Sequence, residues 1–306
     1  MSESRHLLQV EHGGDRLDRF LSQALPEHSR TTLQRLITDG FVTVNARVEV
    51  RSALKLEAGD QVLVRIPPRA PIHVAPEAIP LQVLFENDDL LVINKPAGMV
   101  VHPALGHAHG TLVSAVLARA PEVEQVGEAE RPGLVHRLDK DTSGLILIAR
   151  NEAAQRALQS AFAERQVEKV YFALVDGRPP TATGRIEAHV GRDPSHRQRM
   201  AVVPASRGRP AVTQYATLEQ FAQHTWLEVH PHTGRTHQIR VHLSYVGCPI
   251  VGDRVYGRRA PSLGAERQML HAARLRLMLP GEREARVFEA PLPEDMLSTL
   301  AALRRG

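Results

Sequence analysis

The chain has 306 residues, of which 42% are hydrophobic, so it can bury a sizeable core and carry an additional small domain. No apolar run reaches membrane-spanning length, and residues 1–10 lack the basic start and apolar stretch of a secretory signal. The single cysteine, Cys248, excludes an intramolecular disulfide and fits a reducing compartment, so we expect a cytoplasmic protein.

Positive charge is concentrated in the second half of the chain. The formal net charge is only +4, but residues 190–276 contain 13 Arg, no Lys and five acidic residues, a local net charge of +8. Arginine suits phosphate groups because its planar guanidinium can bind them through two hydrogen bonds. A solvated basic face would have the same composition, so charge alone leaves an RNA interface and an ordinary surface both open.

Residues 15–66 predict a small α/β unit. Apolar residues at helical spacing predict a helix over 15–25, and a second helix should run from the N-cap candidate Ser29 to Ile37 and stop at Gly40. Strand-like runs follow at 41–45 and 61–66.

Five prolines mark residues 67–80 as an extended linker, because each proline disfavours helix in the residue before it. Residues 81–306 are richer in strand patterns. Strands are predicted at 90–94, 145–149, 170–175, 226–229 and 274–278, and helices at 153–165 and 236–245. The irregular mixture favours an α+β fold over a doubly wound sheet.

The densest polar segment is 133–144, which holds two carboxylates, two basic residues, a histidine and two hydroxyls between flanking glycines. An apolar strand follows directly, and a polar loop beside a core strand is a rigid place to mount reactive groups. The same residue types also suit an ordinary polar turn.

A second polar segment, 230–242, contains four histidines together with Arg235 and Arg240. Imidazole is a common metal ligand, but His237 and His242 are five residues apart and do not share one helical face. No acidic cluster completes a site, so we expect no metal. The motifs of kinases, P-loop proteins, dinucleotide-binding proteins and serine hydrolases are missing, although a strand does end in Lys95.

Taken together and in order, these segments resemble the RluA family of pseudouridine synthases. The motifs that carry the resemblance lie at 94–98, 136–144, 169–173, 233–240 and 251–257. The second and fourth are highly specific. The resemblance spans about 81–293, and residues 15–66 resemble an S4 RNA-binding domain. The two-part layout is closest to the RluD branch of the family, and the RluC branch shares it.

The resemblance implies a mixed, largely antiparallel central sheet with flanking helices, within a catalytic domain over 81–306. It implies that Asp139 is the catalytic aspartate and that Arg240 pairs with it. Arg137 corresponds to the residue that helps to displace the target uridine. Tyr171 corresponds to the tyrosine against the flipped base, and Ile239 to the apolar residue beside it.

The resemblance also implies the substrate: uridines in a stem-loop of large-subunit (23S) ribosomal RNA, free or within an assembling ribosomal particle. In the S4-like domain, Arg30 and Arg35 are the candidate RNA contacts, although residues 1–65 hold nine basic and nine acidic residues. We expect no cofactor, no membrane association and a monomer.

Uridine becomes pseudouridine when the N1–C1′ bond breaks and C5 bonds to C1′, with no change of oxidation state. A carboxylate can attack C1′ or remove the C2′ proton, and the sequence leaves both open. Asp141 would point away from Asp139 in an extended loop, which favours a loop-stabilising role. A non-catalytic RNA-binding protein with this fold is the competing class, disfavoured because Asp139, Tyr171 and Arg240 are all present.

Overall fold

The computed structural model describes residues 4–28, 30–67, 74–103, 107, 109–196, 199–258 and 262–305. The chain divides into two compact units, Met1–Pro71 and Ile72–Gly306. Ser29, the predicted N-cap, and residues 68–73 of the predicted linker lie outside the described residues.

The first unit packs two helices against a small sheet. Its elements are β1 (Ser4–Gln9), α1 (Leu17–Ala24), α2 (Arg30–Thr38), β2 (Val42–Val44), β3 (Arg47–Val48) and β4 (Gln61–Ile66). The sheet has the order β1-β4-β2-β3, and its pairs are antiparallel. Both predicted helices and both predicted strands are present, and α2 is followed by Gly40 at φ +77°. The sequence did not predict β1, which precedes residue 15 and pairs along the whole of β4.

The second unit begins with β5 (Gln82–Glu86), β6 (Leu90–Lys95), α3 (Leu112–Arg119), β7 (Ser143–Ala149), α4 (Glu152–Ala163) and β8 (Glu168–Asp176). It continues with β9 (Thr183–Arg192), β10 (Met200–Val202), β11 (Arg209–Gln220), β12 (His224–Pro231), α5 (Gln238–Tyr245), β13 (Leu270–Met278), β14 (Ala285–Glu289) and α6 (Glu294–Arg305). Among the helices described, none is both long and apolar enough to cross a membrane.

One ten-stranded sheet organises this unit. Its strand order is β10-β9-β11-β12-β8-β13-β7-β6-β5, and β14 pairs with the second half of β13. Strand β13 runs parallel to β7, and the other described pairs are antiparallel. The predicted α+β class and the mixed, largely antiparallel sheet are therefore confirmed. All five strands and both helices predicted for this part of the chain are present within a few residues of their expected bounds.

The junction of β7 and β13 lies at the middle of the sheet and depends on a glycine. Every residue of β7 is buried, and Ser143 and Gly144 pair with His271 and Ala272. Gly144 has φ +111°, and a Cβ atom there would collide with the backbone carbonyl of Ala272. Only glycine accepts both the left-handed backbone and this close approach. The segment before β7 is thereby held at the centre of the unit.

Candidate active site

A cavity of about 420 Å³ opens between the loop before β7, strand β8 and the start of α5. This volume is within the range typical of small-molecule sites. The five residues expected to act on the target uridine all line it, although they come from three separate segments of the chain. They are Arg137, Asp139, Tyr171, Ile239 and Arg240.

Asp139 and Arg240 form the centre of the site. The Arg240 Nη1 atom donates a hydrogen bond of 2.9 Å to Asp139 Oδ2. The other side of the guanidinium is bound by Asp253, with Nε donating to Oδ2 at 2.7 Å and Nη2 to Oδ1 at 3.0 Å. One arginine therefore bridges two carboxylates, and its orientation is fixed by the pair of bonds to Asp253.

Asp253 is a buried residue whose role the sequence did not reveal. Its Oδ1 atom also accepts hydrogen bonds from the backbone N–H groups of Val255 and Tyr256, at 2.9 and 3.0 Å. Burial alone would raise the pKa of Asp253, but the hydrogen bonds and charge of Arg240 lower it below its usual value. Burial would likewise lower the pKa of Arg240, whereas Asp253 and then Asp139 raise it overall. Arg240 and Asp253 are therefore both charged at neutral pH.

His237 lies on the other side of Asp139, with its Nε2 atom 3.8 Å from Asp139 Oδ1. Its Nδ1 atom is 2.8 Å from Tyr256 Oη, which accepts the backbone N–H of Met200 at 2.9 Å. Oη can donate its own hydrogen to Nδ1, and in that tautomer the neutral imidazole carries its proton on Nε2, facing Asp139. Burial, only partly opposed by Asp139, lowers the pKa of His237 and favours this neutral form.

His237 reaches this position through an unusual backbone conformation. It precedes α5 with φ +56° and ψ +18°, a left-handed geometry that non-glycine residues seldom adopt. The Tyr256 ring also lies under the Arg240 guanidinium, with its centroid 5.0 Å from Cζ. His237, Asp253 and Tyr256 thus surround the two predicted residues, and the signal for two of them was the motif at 251–257.

Tyr171 and Ile239 supply the apolar walls. Tyr171 lies on β8 and packs between two core clusters, and Ile239 is buried in the first turn of α5. Burial, followed by the charge of Asp139, raises the pKa of Tyr171. Its phenol is therefore neutral at physiological pH, which suits contact with a base better than service as a base itself.

The loop that carries Asp139 is fastened by Lys95, at the end of β6. Lys95 is fully buried, and its Nζ atom donates to the backbone carbonyls of Pro96, Met99 and Lys140 at 2.7, 3.0 and 2.9 Å. Burial lowers the pKa of Lys95 to about 7, an effect that Asp141 partly opposes. The third bond holds the residue directly after Asp139, so Lys95 links β6 to the loop that carries Asp139.

His136 fastens the same loop from the other side. Its Nε2 atom accepts the backbone N–H of Leu147 at 2.9 Å, and its ring stacks on Phe162 with centroids 4.6 Å apart. Burial, together with the charge of Lys169, lowers the pKa of His136 to about 3, so the ring is a neutral acceptor.

Basic side chains surround the mouth of the cavity. Arg137 and Arg165 are exposed, and Lys169 and Arg235 are partly buried. Burial and the neighbouring charge of Arg165 lower the pKa of Lys169 to about 8. The mouth is positively charged and suits the phosphates of a nucleic acid strand.

Asp141 does not line the cavity. Its backbone carbonyl accepts a hydrogen bond from Arg267 at 3.1 Å, and its charge acts on Lys95, which agrees with a loop-stabilising residue. Within the described ranges, no three His, Cys, Asp or Glu side chains come together in a group that could hold a metal ion.

The two arginines singled out in the first unit differ in their surroundings. Arg30 donates to the fully buried Asp18 at 2.7 and 3.2 Å, so its charge is largely committed within the unit. Arg35 is 78% exposed, and its Nε atom lies 4.0 Å from Asp39. Burial would raise the pKa of Asp18, but bonds from Arg30, Arg16 and Gln34 hold it well below the usual value. The sequence did not reveal this buried carboxylate.

Comparisons with known proteins agree with this geometry. Residues 89–245 match the family described as RNA pseudouridylate synthase, and residues 15–62 match the S4 domain. An uncharacterized RNA pseudouridine synthase of Chloroflexus aurantiacus is 52% identical over 290 residues, which cover 95% of this chain and 90% of that protein. Ribosomal large subunit pseudouridine synthase D of Pseudomonas aeruginosa is 42% identical in an alignment 307 positions long. This alignment covers 96% of this chain and 94% of that protein.

A solved structure shows the same relationship in three dimensions. Human RNA pseudouridylate synthase domain containing 4 superposes with a TM-score of 0.60 at 29% identity, covering 73% of this chain and 93% of its own. Fold, site and sequence therefore agree, and the chain belongs to the RNA pseudouridylate synthase family, as an enzyme with an N-terminal S4 domain.

Proposed function

We propose that this enzyme isomerises specific uridines in a stem-loop of large-subunit ribosomal RNA, with Asp139 as the catalytic residue. The observation that carries the proposal is the Asp139 carboxylate, 17% exposed inside the cavity and bound by Arg240. The RNA class is supported by relatives at 42% identity whose names are ribosomal large subunit pseudouridine synthase D. The S4 domain supports RNA as the ligand of the first unit.

The reaction needs a carboxylate beside the ribose of the target. The N1–C1′ bond breaks, the uracil rotates, C5 bonds to C1′, and the C5 proton is lost while N1 gains one. Atoms and oxidation state balance without a cofactor. Asp139 can attack C1′ and later leave, or it can take the C2′ proton and later return it.

The two oxygens of Asp139 are not equivalent. Oδ2 accepts the Arg240 bond, whereas Oδ1 faces His237 at 3.8 Å, longer than a hydrogen bond. Oδ1 is therefore the oxygen that meets the sugar. When Asp139 leaves C1′ or returns the C2′ proton, negative charge reappears on Oδ1. The His237 Nε2–H group is placed to stabilise that charge.

The target base must leave its stack before it reaches this cavity, at a cost of a few kcal/mol. Tyr171 and Ile239 form an apolar slot for the extruded uracil, and stacking on an aromatic ring contributes about 1–3 kcal/mol per base. Arg137 is exposed at the mouth and can fill the space that the base vacates. Lys169 and Arg235 can hold the neighbouring phosphates.

The test is tritium release from large-subunit ribosomal RNA transcribed with 5-tritiated uridine. Tritium leaves C5 only when C5 becomes the glycosidic carbon. We expect release by the wild-type enzyme and a loss of at least about a thousandfold in Asp139→Asn, the scale on which removing a reacting group acts. RNA binding should stay nearly unchanged, because affinity comes mainly from phosphate contacts.

Asp88→Asn is the matched control, since it removes an exposed carboxylate that does not line the cavity. It should keep its turnover. Near-normal tritium release by Asp139→Asn would show that Asp139 is not the catalytic residue. If the wild-type enzyme released no tritium, its substrate would be a different RNA.

A further inference from the structure

A second cavity, of about 470 Å³, lies directly behind the loop that carries the candidate catalytic aspartate; we refer to it as the flanking cavity. Val135, His136 and Arg137 line both cavities and so form a thin partition between them. Whatever occupies the flanking cavity therefore lies beside whatever occupies the active site. Nothing in the proposed chemistry uses this second space.

The flanking cavity is lined by groups that both donate and accept hydrogen bonds. Gln155, only 7% exposed, and Gln159, which is exposed, both come from α4 and donate long bonds of 3.4 Å to the Leu134 carbonyl. In the part of the chain that the structure describes, neither amide oxygen accepts a hydrogen bond. Both amides therefore keep capacity for a ligand.

His102 adds a third group of this kind. Its Nδ1 atom is buried and has no hydrogen-bond partner among the described residues. Burial, and then the charges of Arg131 and Arg137, lower the pKa of His102. A neutral imidazole offers one donor and one acceptor. The charged groups that line the cavity are Glu128, Arg131 and Arg137.

This mixture of donors and acceptors identifies the ligand class. Glu128 and the two amide oxygens can only accept hydrogen bonds, so a ligand that pairs with them must donate as well as accept. A phosphodiester has acceptor oxygens only and cannot do this. The edges of a nucleobase present donors and acceptors side by side, which the glutamines and a neutral histidine can match. The volume is ample for one base, and Arg137 at the partition can hold the phosphate between two consecutive nucleotides.

We propose that the flanking cavity binds the base of a nucleotide adjacent to the target uridine, so that the enzyme takes two neighbouring bases out of the stem-loop. This inference rests on the proposed function. It assigns His102, Gln155 and Gln159 to the choice of RNA sequence beside the target. The partition then serves to separate two extruded bases.

The experiment uses full-length enzyme and a stem-loop RNA containing the uridine that tritium release has mapped. His102→Ala and Gln159→Ala are measured on the intact RNA and on RNAs with an abasic site on either side of the target. Each variant should lower kcat/KM on intact RNA by about three- to tenfold, the effect of one lost hydrogen bond. The loss should fall on KM.

On the abasic RNA that lacks the recognised base, the kcat/KM of the wild-type enzyme should fall by a similar factor. On that RNA, both variants should have the same kcat/KM as the wild-type enzyme. Gln220→Ala, an exposed glutamine of β11 that lines neither cavity, should match the wild type on every RNA. Gln159 is exposed, so its variant tests the proposal even if His102→Ala does not fold.

Variants that act like the wild type on intact RNA, or that lose the same factor on all RNAs, would overturn the inference. The proposed function fails differently, because the wild-type enzyme would then release no tritium from intact RNA.

Discussion

At the residue scale, a small number of side chains orient the carboxylate of Asp139. Arg240 is fixed by two bonds to Asp253 and offers its remaining Nη1 to Asp139. Tyr256 acts on both partners of Asp139, since its ring lies under Arg240 and its hydroxyl contacts His237. The motifs predicted Asp139 and Arg240 because they stand in the two most specific segments. Tyr256 was not predicted, because its contacts exist only in the folded chain.

Tyr256→Phe should lower turnover about tenfold while RNA affinity stays within about twofold. The ring is kept, but His237 Nδ1 loses the hydroxyl that favours the Nε2–H tautomer, and the Met200 N–H loses its acceptor. One such bond is worth about 1 kcal/mol or slightly more. Single-turnover tritium release and filter binding measure the two effects.

Tyr245→Phe is the control for this substitution, because Tyr245 is the last residue of α5 and is 64% exposed. It should behave like the wild type in both assays. Full turnover by Tyr256→Phe would show that the tautomer of His237 has no part in the reaction.

At the element scale, burial decided which strands could be predicted from the sequence. Strands β6 and β7 are buried almost throughout and read as apolar runs, so their positions followed directly from the sequence. Strands β9 and β11 were missed, because their residues are mixed polar and apolar and only partly buried. The pairing of β7 with β13 could not be predicted, since it joins segments 128 residues apart through Ser143 and His271.

This junction should make the second unit sensitive to acid. His271 is fully buried, with Nδ1 2.9 Å from Ser143 Oγ, and burial lowers its pKa to about 4. The unfolded value is about 6.5, so the unfolded chain binds more protons between these limits. The contribution of His271 to stability is therefore complete above about pH 6.5 and is lost as the pH falls towards 4.

Protonation of His271 should lower the free energy of unfolding by about 1.4 kcal/mol as the pH falls from about 7.5 to about 5.5. Denaturant titrations at the two values measure it, and His271→Gln should reduce the difference by that amount. An equal acid dependence in this variant would show that His271 is not the titrating group.

At the scale of the whole molecule, the chain consists of two units with separate cores. One core cluster lies entirely within residues 8–66, and the others begin at residue 74. The proline-rich composition of residues 67–80 predicts a linker, and the two compact units divide after Pro71. All the residues proposed for chemistry belong to the second unit, whereas Arg35 offers the first unit an exposed cation.

Removal of residues 1–66 should leave the second unit folded and able to act on a short stem-loop. Binding to large RNA should weaken, and its dependence on salt should become shallower, because phosphate contacts are lost. Thermal melts, tritium release from short and long RNAs, and binding at several salt concentrations measure these effects. A truncated chain that does not fold would show that the second unit depends on the first.

The bond between Arg240 and Asp139 spans 101 residues of chain, and this distance has a consequence for biosynthesis. The loop with Asp139 leaves the ribosome long before α5, and β13, which fixes the loop at the centre of the sheet, comes later still. Closing such long loops is costly in chain entropy, so contacts of this kind form late in folding. We therefore expect a nascent chain to carry the Asp139 carboxylate without the partners that orient it. We expect the site to assemble only after β13 has left the ribosome, so that, with the proposed substrate, a nascent enzyme is inert towards the ribosome that is still translating it.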